Sequence, residues 1–332
     1  MKNWRNPKIL ATIAVCLFAL FVVHKLSRID SHVREMARSN NPFVPSNIIC
    51  ETSINPDWDV KMSADLISFV NVITQQPFRW LSKGFQAYAF ESQDGEFVIK
   101  FFQQKRLRDQ PFKDHPIEYL FSKSFRERAE FIKNHRQEIF WSSKISFEEI
   151  PEETGILFVH LNRTDNLLHG VRIVDSQGQS YKIKPGNTTF LIQRKATYVL
   201  PTINELMKKG DVAGAKARLD QIFDLLITLA KKQIVDGDYA LIRNNNIGFI
   251  KNRAIYIDTG HLFKQPNLKA KEQMDYEFKR RLRPLRDWLG IKYPELATYY
   301  DTRQSEILDQ LAKEERGSQP EPTKPLETAA CK

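Results

Sequence analysis

The first strongly apolar stretch of the chain is Ile9–Val23, 15 residues without a charge between Lys8 and Lys25. As a helix it spans about 22 Å, which approaches the thickness of a bilayer core when the flanking lysines extend to the headgroups. The residues that follow contain no small-x-small cleavage site, so an uncleaved signal anchor is favoured over a cleaved signal peptide. We predict a single-pass membrane protein. Lys and Arg lie on both flanks, so the side of the membrane that holds the rest of the chain is undetermined.

Residues 24–60 are polar and interrupted by prolines, a pattern typical of a linker or stalk. Apolar residues then recur at helical spacing over Ser63–Thr74, and from Phe78 the period changes to two. Phe85–Phe90 and Phe97–Phe102 are aromatic-rich runs joined by Ser-Gln-Asp-Gly, which predicts a β-hairpin.

A long amphipathic helix is predicted over Phe121–Ser146, and mainly short strands and then helices follow it. The predicted strands are Gly155–Leu161, Val171–Val174, Ser180–Ile183, Phe190–Ile192, Ile247–Ile250 and Ala254–Ile257. The predicted helices are Thr202–Lys209, Val212–Lys232 and most of Glu272–Ala312. The expected fold class is therefore α+β.

This pattern divides the chain into five predicted parts. They are a transmembrane anchor (1–26), a linker (27–62), a β-rich part (63–196), a helical part (197–312) and a disordered, proline-rich tail (313–332). The sequence has 332 residues, of which 42% are hydrophobic, so the soluble parts can bury a substantial core. Its three cysteines form no CxxC pair or Cys/His cluster, which argues against a structural zinc site.

The formal net charge of +10 raises the question of an anionic partner. Basic residues are spread along the chain among acidic ones, and they are dense only at Lys105–Arg108 and Lys279–Arg286. No recognition motif or aromatic platform accompanies them, which disfavours nucleic-acid binding. A solvated surface, or attraction to anionic lipid headgroups near an anchor, explains the charge better.

Lys100 is the lone cation in the apolar run Val98–Phe101. A strand interior does not bury an unpaired ammonium, so Lys100 requires a partner unless it lies on a solvent-facing side of the strand. The long predicted helix offers Glu127, Glu130 and Glu138, and we place Glu130 first. Surface pairing with neighbouring arginines is an equally ordinary fate for these glutamates.

A polar stretch at Asp236–Asn246 precedes two short strands and the tripeptide Asp258-Thr259-Gly260. Asn-rich loops and Asp-x-Gly turns are common in any protein, so each motif by itself indicates only a turn. Their joint occurrence after a hairpin with Lys100 and a long helix carries more information. The order resembles that of the protein-kinase-like superfamily, which includes protein kinases and small-molecule phosphotransferases of the choline and aminoglycoside kinase type.

The resemblance extends over roughly Trp80 to His261 and implies a bilobal domain, with a β-rich N-lobe and an α-rich C-lobe. It implies ATP and Mg²⁺ as cofactors, with Val98–Phe101 similar to the strand whose Lys pairs with the nucleotide phosphates. The implied site residues are Asp238 for catalysis, Gly84, Lys100 and Glu130 for the nucleotide, and Asn245, Asn246 and Asp258 for the metal.

The polar loop departs from the kinase pattern. Kinases place Asn five residues after the catalytic Asp, where this chain has Arg243, and no His-Arg pair precedes Asp238. These departures favour a membrane-anchored pseudokinase or scaffold. The alternatives are a phosphotransferase that uses Lys100, Asp238 and Asp258 on an unknown protein or small-molecule acceptor, and a basic module that binds nucleic acid or anionic lipid. The segments DGDYALIRNNNIGF and AIYIDTG also resemble uncharacterised membrane-anchored proteins of chlamydia-like bacteria, which implies no activity.

Overall fold

The computed structural model describes residues 43–52, 54–104, 123–165, 168–238, 241–242 and 245–317, with only the backbone for 123–129 and 131–133. The predicted anchor Ile9–Val23, the basic run Lys105–Arg108 and the tail beyond Gly317 lie outside the described residues. Within the described ranges, no helix combines the length and the apolar character that crossing a bilayer requires.

The N-terminal half of the described chain is built on a seven-stranded sheet. Its strands are β1 (Phe78–Lys83), β2 (Ala87–Ser92), β3 (Phe97–Phe102), β4 (Ile156–His160), β5 (Val171–Val174), β6 (Ser180–Ile183) and β7 (Phe190–Arg194). They lie in the order β4-β7-β3-β2-β1-β5-β6. Every neighbouring pair is antiparallel except β1 and β5, which are parallel.

The β2-β3 hairpin forms where the turn chemistry predicts it. Gly95 has a φ of 76°, a backbone conformation that glycine adopts without strain. Oδ1 of Asp94 accepts hydrogen bonds from Ser92 Oγ (2.6 Å) and from the Glu96 amide (3.0 Å), which closes the turn. The hairpin fixes the register that pairs Lys100 with Ala89 on one side, and β7 pairs it with Leu191 on the other. Lys100 therefore lies in the middle of the sheet.

Helices flank this sheet and form the C-terminal half of the chain. They are α1 (Ala64–Ile73), α2 (Lys123–Glu148), α3 (Pro151–Thr154), α4 (Val199–Lys208), α5 (Val212–Lys231), α6 (Ala270–Tyr276), α7 (Arg283–Lys292) and α8 (Pro294–Gly317). Side-chain caps start two of them, because Ser63 accepts from Leu66 N at 3.1 Å and Asp211 accepts from Gly214 N at 2.8 Å. The stretch that the sequence predicts as mostly helical, Glu272–Ala312, is interrupted by a π-helical turn at Glu277–Arg281.

Two small sheets lie in the C-terminal half. One has the order β11-β10-β8 and the other pairs β12 with β9. Their strands are β8 (Thr197–Tyr198), β9 (Ile234–Asp236), β10 (Ile247–Ile250), β11 (Arg253–Tyr256) and β12 (Leu262–Lys264). A Cβ atom on Gly248 would lie 2.4 Å from the Thr197 carbonyl oxygen, so only glycine permits β8 to pair with β10 at this point.

The two halves have different apolar cores. The core of the large sheet is rich in phenylalanine, whereas the helical core is made mainly of Leu and Ile side chains from α5, α7 and α8. Residues 43–62, which the sequence predicts as linker, contribute Phe43, Ile48 and Trp58 to buried positions. A sheet with flanking helices confirms the α+β class predicted from the pattern.

Candidate functional site

Lys100 extends from the centre of the large sheet toward the end of β11. Its Nζ donates a 2.5 Å hydrogen bond to the carbonyl oxygen of Ile257. Burial lowers the pKa of Lys100, and the negative charge of Asp258 opposes this shift. Among the described residues, Asp258 is thus the carboxylate that acts on this poorly solvated ammonium.

Asp258 begins the tripeptide that follows β11. Oδ1 of Asp258 accepts a 3.1 Å hydrogen bond from the Gly260 amide, which folds the carboxylate back over its own turn. The turn is fastened to α2, because Ser142 Oγ donates to the Thr259 carbonyl and accepts from Leu262 N at 2.7 Å. These contacts hold Asp258 in place between the two halves of the chain.

Asp238 and Asn246 meet although eight positions separate them in the sequence. Nδ2 of Asn246 donates a 2.7 Å hydrogen bond to Oδ2 of Asp238. The carbonyl oxygen of Asn246 accepts from Ile257 N at 2.6 Å and from Asp258 N at 3.2 Å. Asn246 thereby links the polar loop to the Asp258 turn, and it brings the two candidate acidic residues into one site.

Asn245 takes the backbone conformation that lets this link form. Its φ is +55°, a left-handed conformation that Asn adopts more readily than most residues. Its amide donates to the Ile242 carbonyl at 3.2 Å, which closes the turn before Asn246. Of the two asparagines predicted as metal ligands, Asn246 is the one in contact with Asp238. Asn244 and Arg243, in the middle of the same loop, lie outside the described residues.

A buried charge cluster supports the beginning of the polar loop. Arg281 contacts Asp236 through Nη2, and its Nη1 donates to Glu277 Oε1 at 2.7 Å and to the Tyr256 hydroxyl at 3.4 Å. Burial raises the pKa of both Asp236 and Glu277, while the Arg281 charge opposes the shift in each. Asp236 also accepts from the Asp238 amide at 2.9 Å, so the cluster and the candidate catalytic residue are directly connected.

The loop between β1 and β2 lies over the Asp258 turn. Gly84 is fixed in this loop by its own amide, which donates to the Ala87 carbonyl at 2.9 Å, and by Gln103 Nε2, which donates to the Gly84 carbonyl at 2.9 Å. The amide side chain of Gln86 approaches so closely that a Cβ atom on Gly260 would lie 2.2 Å from its Oε1. Gln86 Nε2 and His261 Nε2 are 3.2 Å apart. The loop therefore contacts the C-terminal half directly.

Glu130, the predicted partner of Lys100, is exposed on α2. Within the described part of the chain, no ion pair joins it to Lys100, whose nearby carboxylate belongs to Asp258. Besides Ser142, α2 places His135 near this region, with its ring centroid 6.0 Å from that of His261. The side chain of Glu127, the other acidic choice one turn earlier, lies outside the described residues.

A cavity of about 740 Å³ lies between α2 and β12. Its described lining includes Trp141 and Glu138 from α2, Phe263 from β12, and Gly237. Because Gly237 directly precedes Asp238, the cavity opens beside the polar loop. Its size falls within the range of small-molecule sites in proteins.

The sequence pattern identified Lys100, Asp238, Asn246 and Asp258, which the fold brings into one region. It did not identify Gln86, Asp236 or Arg281. Asp236 carried a signal, because it stands at the start of the polar stretch after a buried strand. Arg281 carried none, since the dense basic run Lys279–Arg286 reads as a solvated surface while Arg281 itself is 2% exposed.

No protein-family model matches the chain, and no curated protein matches it. Two similar solved structures are a medium-resolution structure of the bifunctional kinase-methyltransferase WbdD and a crystal structure of monomeric WbdD. The first is 16% identical with a TM-score of 0.32 and covers 69% of this chain and 43% of that one. The second is 16% identical with a TM-score of 0.34 and covers 65% and 44% respectively. The chain thus spans less than half the length of these proteins, and the functional conclusion rests on the side-chain geometry.

Proposed function

We propose that this protein is a Mg²⁺- and nucleotide-dependent phosphotransferase with a protein-kinase-like fold. The observation that carries the proposal is the double role of Asn246, whose side chain contacts Asp238 and whose backbone holds the Asp258 amide. The polar loop is longer than the corresponding kinase loop, and it still brings Asp238, Asn246 and Asp258 together beside Lys100. Phosphoryl transfer needs this set of groups in kinase-like enzymes.

The order of the elements supports the kinase-like fold. The cation is on the third strand, a long helix separates β3 from β4, and β4 and β7 complete that side of the sheet. The polar loop and the Asp258 turn then frame the small β10-β11 hairpin. The strand Lys, the Asp-Asn loop and the Asp-x-Gly turn follow each other along a protein-kinase chain in this order. The β5-β6 hairpin is an addition at the β1 edge of the sheet.

Lys100 is the group that we expect to meet the nucleotide phosphates. Its side chain is half-buried, burial lowers the pKa of its ammonium, and among the described residues Asp258 supplies the opposing charge. An anionic ligand would relieve this arrangement by adding negative charge next to the ammonium. The β1-β2 loop around Gly84 lies over the same region and is positioned to cover the bound phosphates.

The donors near Asp258 fit Mg²⁺. A carboxylate from Asp258 and the amide oxygen of Asn246 are hard oxygen ligands, and Nδ2 of Asn246 is already engaged with Asp238. No cluster of three His, Cys, Asp or Glu side chains suited to a metal occurs within the described ranges. Mg²⁺ is commonly held by one or two carboxylates together with substrate phosphates, so this donor set agrees with a site completed by the nucleotide. Bound there, the ion would neutralise phosphate charge.

Asp238 would orient the acceptor hydroxyl and receive its proton. Oδ2 of Asp238 is held by Asn246 and the Asp238 amide is held by Asp236, so the carboxylate has a fixed direction. Catalysis of this kind depends on positioning and on electrostatic stabilisation rather than on covalent chemistry with the protein. The cavity beside Gly237 offers the acceptor a route to this position.

The first test is a thermal-shift titration of the full chain with ATP and MgCl₂. We expect the midpoint of unfolding to rise for the wild type and not for Lys100→Ala or Asp258→Ala. The matched controls are Lys182→Ala, an exposed lysine on β6, and Asp309→Ala, an exposed aspartate on α8, and both should respond like the wild type. A wild-type chain that shows no response at millimolar Mg·ATP would sink the proposal.

A second candidate is a nucleotide-responsive module without catalysis. It is favoured by the contact of Gln86 with Gly260 and His261, which places the β1-β2 loop against the Asp258 turn. Asp238→Asn separates the two candidates. An enzyme would lose nucleotide turnover in this variant while still binding Mg·ATP, whereas a non-catalytic module would show no turnover even as wild type.

We also propose that Ile9–Val23 holds the protein at a membrane. Fractionation of cells that express the full chain or a form lacking residues 1–26 tests this directly. The full chain should sediment with membranes and resist carbonate extraction, and the shortened form should not. A reporter fused after Lys332 then establishes which side of the membrane the domain occupies, and a side without ATP would argue for the non-catalytic module.

A further inference from the structure

We propose that Arg281 is a positioning residue that braces the two acidic segments of the candidate site against each other. This inference rests on the proposed function, because it assigns Asp238 and Asp258 to one reaction centre. It concerns a residue that is distant in sequence from both acids and that contacts neither of them. Arg281 is 2% exposed, so it has no surface role.

The first contact of Arg281 reaches the polar loop. Its Nη2 donates to Oδ2 of Asp236, and Oδ1 of the same carboxylate accepts from the Asp238 amide at 2.9 Å. Asp236 is the last residue of β9. The guanidinium therefore determines the orientation of Asp236, and Asp236 in turn fixes the backbone at Asp238.

The second contact reaches the strand that leads to Asp258. Nη1 of Arg281 donates to the Tyr256 hydroxyl at 3.4 Å, and Tyr256 is the last residue of β11, two positions before Asp258. Gln193 of β7 holds the Tyr256 carbonyl at 2.8 Å, so this end of β11 is fastened from the large sheet as well. One guanidinium thus touches the ends of both strands that carry the candidate acids.

The helix that supplies Arg281 is shaped for this contact. The π-helical turn Glu277–Arg281 interrupts the helical run between α6 and α7, and Leu282 N donates to the Glu277 carbonyl at 2.8 Å. Such turns are frequent at functional sites. The Glu277 carboxylate accepts from Arg281 at 2.7 Å and keeps the guanidinium directed at Asp236 and Tyr256.

The charges explain why the brace is an arginine. Two carboxylates, Asp236 and Glu277, face one guanidinium in the interior, and burial favours the neutral form of each acid. A planar guanidinium can serve both carboxylates and the Tyr256 hydroxyl together, whereas a lysine ammonium is a point charge that cannot span them. Lysine at position 281 should therefore retain charge but lose the simultaneous contacts.

A purely structural role has to be distinguished from positioning. Arg281→Met leaves two buried carboxylates without a cation, so it will lower the midpoint of unfolding, by about 10 °C. Arg281→Met combined with Glu277→Gln removes one of those carboxylates and should recover part of that loss. Tyr300→Phe is the matched control, because Tyr300 is buried in the same hydrophobic cluster as Tyr256 and its hydroxyl has no hydrogen-bond partner among the described residues.

The deciding experiment combines amide hydrogen exchange with Mg·ADP titration on the full chain. We expect exchange in the segment 234–242 to be about tenfold faster in Arg281→Met, Arg281→Lys and the double variant, and Mg·ADP affinity to be about tenfold weaker in all three. Tyr300→Phe should match the wild type in both measurements. The double variant should regain part of the lost thermal stability without regaining loop protection or affinity.

Two results would overturn the inference. One is wild-type loop protection and affinity in Arg281→Lys, and the other is recovery of both in the double variant, which would leave Arg281 with a structural role alone. If the wild type binds no Mg·ADP, the proposed function fails instead. The exchange measurement then decides by itself whether Arg281 braces the 234–242 segment.

Discussion

Lys100 and Arg281 are both cations near the candidate site, the first half-buried and the second fully buried, and the protein surrounds them in different ways. Lys100 has one carbonyl contact and one nearby carboxylate, and its pKa is lowered. Arg281 is held between two carboxylates and a tyrosine hydroxyl. Among the described residues, one carboxylate thus acts on Lys100 and two carboxylates contact Arg281. The proposed function expects this difference, because Lys100 would then take part in binding an anionic ligand while Arg281 is paired within the protein.

The largest effect should come from removing Arg281, the cation held between two carboxylates. Arg281→Met leaves two buried carboxylates without compensation, and we expect the free energy of unfolding to fall by about 3–5 kcal/mol. Urea denaturation measures this directly. The matched control is Arg286→Met, which removes the exposed pair between Arg286 of α7 and Asp301 of α8 and should have a much smaller effect. Equal losses of unfolding free energy in the two variants would show that the buried charge cluster stabilises the protein no more than the exposed pair does.

Replacing Lys100 should weaken ligand binding and leave the free energy of unfolding nearly unchanged. Lys100→Met replaces an enclosed ammonium by an apolar chain of similar length, so we expect the free energy of unfolding to stay within about 1 kcal/mol of the wild type or to rise. At a Mg·ATP concentration about one hundred times the Kd, the wild type should gain about 2.7 kcal/mol and the variant nothing. A strongly destabilised Lys100→Met variant would show that contacts within the ligand-free protein already compensate the burial of the Lys100 ammonium.

The pH dependence of stability should separate the two regions further. The pKa of Glu277 in the folded protein is raised above its ordinary value of 4.5. The contribution of Glu277 to the free energy of unfolding is therefore fully present below pH 4.5 and is lost as the pH rises through the folded-state pKa. Glu277→Gln stays neutral at every pH. The unfolding free energy of the variant relative to the wild type should therefore increase as the pH is raised from 4.5, as measured by urea denaturation at several pH values. A difference that is independent of pH would show that Glu277 does not carry this shift.

The smallest effect is expected at Tyr300. Its hydroxyl is buried without a hydrogen-bond partner among the described residues, so Tyr300→Phe removes a group that gains nothing from burial. We expect the unfolding free energy to change by less than about 1 kcal/mol, with no loss. A clear destabilisation would indicate that a buried water bridges this hydroxyl to the cluster around Arg281.

Local patterns were enough to predict the parts of the site that lie on regular elements. The turn residues between β2 and β3 predict the hairpin, and the hairpin places Lys100 at the centre of the sheet. The apolar run before Asp258 predicts a strand that ends at an acidic turn. These features depend on neighbours within a few residues, which is the range over which turn chemistry and side-chain alternation act.

The contacts that assemble the site could not be predicted in the same way. The approach of Asn246 to Asp238 depends on a left-handed residue at Asn245 inside an irregular loop. The pairing of Arg281 with Asp236 spans 45 positions and depends on a π-helical turn that interrupts an otherwise helical pattern. The placement of Phe43 and Trp58 in the core likewise comes from tertiary packing, since their local sequence is polar and rich in proline.

The packing of Phe43 also has a mechanical consequence. Its ring makes edge-to-face contacts with Tyr88 and Phe90 of β2, at centroid distances of 5.2 Å each, and nearby Ile49 bridges to Thr188. Tension applied to the chain before Phe43 would therefore load β2, the strand that follows the loop over the Asp258 turn. A pull from the N-terminal side would thus be transmitted to the β1-β2 loop through β2.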